Sequence, residues 1–141
     1  DTGADYRKVV TLTVGGNDMF QIIGGADPGT VLADFADNLG AILRSLVTAY
    51  PEVEIYVANQ FDPRLPFPGG SDLMEALNNV IAWVASNFPQ ATVVDVFSAF
   101  EGQKGLLLIE KKGADMFQVH PTNAGYRVMT KAFADAIHAN D

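Results

Sequence analysis

One stretch near the start, residues 9–18 with the sequence VVTLTVGGND, constrains the fold more than any other. An apolar, β-branched run that stops at two glycines reads as a buried strand of a parallel sheet. Val9, Thr11 and Thr13 would face one side of that sheet and Val10, Leu12 and Val14 the other, so both faces need cover. Such a strand delivers Asn17 and Asp18 to its carboxyl end, where open α/β sheets place their functional crevice.

The following residues alternate between helix and strand patterns. After a turn at 24–29, Thr30 is a candidate helix cap, and Leu32, Phe35, Leu39, Ile42, Leu43, Leu46 and Tyr50 recur at helical spacing until Pro51 stops them. Residues 53–61, VEIYVANQF, form a second strand, and the Pro/Gly-rich 62–70 a loop. Ser71 then caps a helix over 72–88, and residues 91–97, ATVVDVF, form a third strand with Ser98 at its end. Residues 101–113 read as a loop with one short element, and a last helix spans 123–138. Strand, helix, strand, helix, strand, loop, helix predicts parallel strands joined by right-handed crossovers in one α/β domain over 1–141.

Composition narrows the function classes. Nine basic against seventeen acidic residues give a net charge of −8, which repels nucleic acid and anionic membrane surfaces. No apolar run approaches the ~20 residues of a membrane span and no signal peptide opens the chain, so a soluble protein is expected, its compartment open and secretion compatible with it. Without cysteine there is no disulfide, thiolate zinc site or Cys nucleophile. Two histidines cannot build a histidine metal cluster, although one suffices for a general base.

The second polar motif is His120 in VHPTNAGYRVM, just before a helix N-terminus. Gly15-Gly16-Asn17-Asp18 taken alone could be a simple turn, and His120 alone a loop residue bonded to backbone. In this order, with these elements between them, the two motifs resemble those of the SGNH (GDSL-type) hydrolases, a family of serine esterases and lipases. The resemblance implies a three-layer, flavodoxin-like sheet with flanking helices and a carboxylic ester as substrate. It implies His120 as catalytic base and Asn17 as the oxyanion-hole side chain. An imidazole that titrates near neutrality can take a hydroxyl proton, and an amide N–H can stabilise the tetrahedral oxyanion.

Three departures from the family pattern stand out. No Gly-Asp-Ser nucleophile motif occurs in the 141 residues, and the family block whose glycine supplies a backbone oxyanion donor is also missing. The sequence therefore resembles the C-terminal two thirds of such an enzyme, with its N-terminal strands missing: a truncated, processed or naturally minimal form. The triad acid is expected three residues before the histidine, where Phe117 stands; Asp115, two residues earlier, is the candidate replacement. Of the four serines, Ser45 and Ser86 lie in helices, leaving Ser71 and Ser98 as candidate substitute nucleophiles. His138 reads as a tail residue, and the DTG string at the start as a chance match.

Serine ester hydrolysis requires no metal and no organic cofactor. Phe61, Leu65, Phe67 and Phe117 are candidates for an apolar acyl pocket. A non-catalytic binding or assembly module, or a half-enzyme completed by a separate serine-bearing piece, is the alternative. Because the family's nucleophile strand would pair beside residues 9–14, its absence makes this strand an edge, and a homodimer is expected to cover it.

Overall fold

The computed structural model describes residues 6–114 and 116–141. Three parallel strands, β1 (Val9–Thr13), β2 (Glu54–Ala58) and β3 (Ala91–Val94), pair in that spatial order, with Leu12 beside Val57 and Val57 beside Val93. The connections are α1 (Gly16–Ile23) with α2 (Pro28–Ala49), and then α3 (Gly70–Ala85). Right-handed crossovers that step across a sheet in one direction leave their helices on one face. Accordingly Phe35, Leu39 and Leu43 of α2 and Leu77 and Ile81 of α3 form one core cluster with Ile55 and Val57.

Beyond β3 the chain turns to the opposite face through α4 (Val96–Phe100), an antiparallel hairpin of β4 (Leu107–Lys111) and β5 (Phe117–Pro121), and α5 (Asn123–His138). The second cluster lies there, with Tyr56, Ala58, Val94 and Phe100 under Val128, Met129 and Phe133 of α5. This is the expected three-layer α/β arrangement, with β2 at its centre and four of its five residues fully buried.

Several local readings are corrected. Both faces of β1 were expected to be covered, yet Val9, Thr11 and Thr13 are exposed and only Val10 and Leu12 pack on the core. The covering helix α5 reaches β2 and β3 instead. The one short element expected within 101–113 is β4, but the strand it pairs with, β5, was not expected, Ile109 standing opposite Val119. The cap of α2 is Asp27, whose carboxylate accepts the Thr30 N–H at 2.9 Å, with Pro28 at the first helical position. Ser71 caps nothing, because α3 starts from Gly69 in the left-handed region. Ser98 lies inside α4, where its N–H donates to the capping Asp95 carboxylate at 3.1 Å.

Candidate active site

The strand-to-helix turn after β1 sets the geometry of the first motif. Gly15 is buried at φ 108°, and a Cβ there would stand 3.2 Å from both Leu77 and Phe35. Only glycine meets both constraints without strain. The turn opens directly into α1, so Asn17 and Asp18 occupy its first turn, where a carboxylate complements the helix dipole. Asn17 is exposed and Asp18 half-buried.

Asn17 stands at the rim of a cavity of about 380 Å³ beyond the carboxyl ends of the strands. Its walls are apolar: Met19, Phe20 and Ile23 from α1, Leu73 and Met74 from α3, and Phe61, Leu65 and Phe67 from the segment after β2. Val119, Pro121, Tyr126 and Met129 close the other side. Three of the four expected acyl-pocket residues thus line it, and Phe117 does not. The described lining contains Asp62 as its one charged residue and no Lys or Arg. Such a cavity favours a neutral, largely apolar ligand, and its volume lies in the lower part of the usual range for small-molecule sites.

The second motif reaches the same cavity, but not through its histidine. Pro121 and Tyr126 line the cavity while His120, between Val119 and Pro121 on β5, is exposed and paired with Leu108. Strand alternation turns His120 to the opposite face of the hairpin from its two cavity-lining neighbours. Asp115 lies outside the described residues, as does the DTG string. Ser71 is exposed and donates from Oγ to the Asp62 carboxylate at 2.6 Å. Ser98 is also exposed, and neither serine lines the apolar cavity. His138 is an exposed residue ending α5.

A network of amides that sequence reasoning missed underlies the cavity floor. Gln60 is the one buried polar residue among those described, 6% exposed. Its Nε2–H donates to the Val14 carbonyl at 2.9 Å, and its backbone exchanges two hydrogen bonds with the Asn78 side chain of α3, at 2.7 and 2.9 Å. One residue earlier, Asn59 donates to Asp95 at 2.9 Å and accepts the Phe97 N–H at 2.8 Å. Bonds from Ser98 and then Asn59 hold the Asp95 carboxyl below its usual range. The available signal was the string ANQ, polar amides closing an otherwise apolar strand.

The sequence profile of the GDSL-like lipase/acylhydrolase family matches residues 2–128. None of the curated proteins matches the chain. Solved structures do. A lipase from the goat rumen metagenome superposes with a TM-score of 0.67 at 20% identity, over 92% of this chain and 63% of its own. A Streptococcus pneumonia protein gives 0.65 at 24%, over 92% and 59%. An acetyl xylan esterase from Geobacillus stearothermophilus gives 0.58 at 23%, over 94% and 61%. The chain therefore spans about three fifths of the length of these structures.

Proposed function

This chain belongs to the GDSL-like lipase/acylhydrolase family, and from that premise we propose that its apolar cavity takes the acyl part of a carboxylic ester whose carbonyl lies at Asn17. The observation that carries the reading is the position of Asn17 at the rim of a cavity with no cationic residue among its described lining, at the carboxyl ends of parallel strands. Attack on the carbonyl pushes negative charge onto its oxygen, and the Asn17 amide N–H would donate to that oxyanion. Deleting one such donor costs roughly 10²–10³ in kcat, about 3–4 kcal/mol.

His120 is the proposed base. Its neighbours Val119 and Pro121 line the cavity and strand alternation points His120 away from it, so service as base requires β5 to turn or shift by one residue against β4. The nucleophile is the open part of the scheme, with Ser71 and Ser98 as the candidates within the chain and Asp115 as candidate acid. A serine on a separate piece would serve equally, as in a half-enzyme. Hydrolysis of a short p-nitrophenyl ester and labelling by a fluorophosphonate test this. Without a Gly-Asp-Ser motif the chain alone is expected to label substoichiometrically and turn over slowly, and whatever turnover there is falls with Asn17→Ala and His120→Ala. Turnover unaffected by both substitutions would sink the reading.

A second reading, assembly, is favoured by β1. This strand is a sheet edge with Val9, Thr11 and Thr13 exposed, and among the described residues Arg7 and Lys8 are the charges that flank its start. We propose that a second copy pairs along it in a two-fold dimer. Sedimentation at micromolar concentration is expected to show a dimer that Thr11→Lys weakens. A monomer in the unsubstituted chain contradicts the proposal.

A further inference from the structure

Gln60 is a polar side chain placed where the core would accept an apolar one, and burial of an amide is costly unless its groups are bonded. Its bonds lead to the turn after β1 and to α3. The Nε2–H donates to the Val14 carbonyl, the last peptide before the Gly15-Gly16 turn. Val14 offers a carbonyl there, so the donor end of the amide is fixed by its partner. Oε1 lies 3.5 Å from where a Cβ on Gly16 would be, so the amide plane is held against the turn on that side too. The Gln60 backbone is in turn clamped by both ends of the Asn78 amide. The turn that carries Asn17 is thereby tied through one side chain to β2 and through Asn78 to α3, and Gln60 and Asn17 line the same cavity.

We infer that Gln60 is a positioning residue, one that fixes the Val14–Gly16 turn and with it the direction in which the Asn17 amide points. This rests on the reading of Asn17 as the oxyanion donor. An oxyanion donor contributes only when held within a few tenths of an ångström of its target, and Asn17 itself is exposed. A bond to the carbonyl two peptides before the helix start supplies the orientation that the Asn17 side chain lacks.

The test uses the Asn17 side-chain amide resonances in heteronuclear NMR, a readout independent of turnover. Gln60→Met keeps the volume and removes the donor, and is expected to displace those resonances at any pH. Gln60→Glu keeps the shape, but its ionised carboxyl cannot donate to Val14. Burial raises the pKa of the introduced carboxyl, so acidification from pH 8 to pH 6 restores an O–H donor and is expected to return the Asn17 resonances toward their native positions. A merely structural role predicts no such return, and the methyl resonances of Leu43, which is fully buried on α2, should stay fixed throughout. Native Asn17 resonances in Gln60→Met, or displaced ones in Gln60→Glu that do not return on acidification, overturn the inference. Should neither variant fold, Asn78→Ala, which frees the Gln60 backbone, must still displace the Asn17 resonances, and their constancy would overturn it as well. Loss of ester hydrolysis from every form of the protein, with these shifts observed, would instead refute the catalytic reading and leave the positioning in place.

Discussion

A methyl group at position 15 would press on Leu77 and Phe35 while forcing an L side chain to φ 108°, whereas a truncation at position 17 removes only exposed atoms. The two neighbours should therefore separate stability from chemistry. Gly15→Ala is expected to cost about 1–3 kcal/mol from the backbone strain, and Asn17→Ala to leave stability within about 0.5 kcal/mol. Equal losses of Tm in the two variants would contradict this division. The glycine pair and Asn17 were legible in the sequence because a turn at a strand's carboxyl end has a local signature. What lies against Gly16 was not, since Gln60 belongs to another strand and only the fold brings it there. His120 shows the converse. Its motif was legible, but which face of β5 it takes is set by the pairing with β4, which no local pattern announced.

At the scale of elements, α2, α3 and α5 were readable from apolar spacing and from the prolines or polar runs that end them. Helix α1 was not separated from its neighbours because it is only eight residues long and begins inside the motif. The hairpin escaped because its strands are weakly patterned: Leu108 and Ile109 are both largely exposed, and glycines flank them. Its anchor is the start of α5. The Thr122 N–H donates to the Leu106 carbonyl at 2.8 Å, Thr122 Oγ1 donates to the Gly105 carbonyl at 2.7 Å, and a Cβ on Gly125 would overlap the Leu106 carbonyl oxygen. Gly125→Ala must shift backbone rather than a flexible side chain, so it is expected to lower Tm and to loosen amide protection in 106–121. Unchanged hydrogen exchange there would show that the contact is dispensable. For comparison, Leu77→Ala in the fully buried stripe of α3 should cost about 2–5 kcal/mol, read from denaturant unfolding.

For the whole molecule, the two core clusters on either side of β2 account for the layer order that the alternating elements imply. The open face of β1 was not legible, because a β-branched strand looks the same whether a helix covers it or not. The layers are also tied by charge. Arg7 bonds Glu54 at 2.9 Å and pairs with Asp141 near the end of the chain, and Asn140 donates to the Tyr56 hydroxyl at 2.8 Å. These carboxylates fix the pH response. Bonds from Arg7 and then Tyr56 lower the Glu54 pKa, Thr30 lowers that of Asp27, and Ser98 and Asn59 lower that of Asp95. A carboxyl depressed in the folded state stabilises it above the unfolded pKa of about 4 and loses that contribution as pH falls through the folded value. Thermal midpoints are therefore expected to be flat between pH 8 and 6 and to fall below about pH 4; a rise on acidification would contradict the assignment.

If the cavity rimmed by Asn17 is an acyl site for a neutral ester, it binds an uncleavable ketone analogue without requiring turnover. Titrating 2-octanone into the labelled protein is expected to give saturable shifts at Phe61, Leu65, Phe67, Met74 and the Asn17 side chain. Octanoate, an anion entering a lining whose one charged residue among those described is Asp62, should bind more weakly, and acetone should not saturate. No saturable shift at those residues with 2-octanone, or stronger binding of octanoate than of the ketone, would show that the cavity is not an acyl site for a neutral ester.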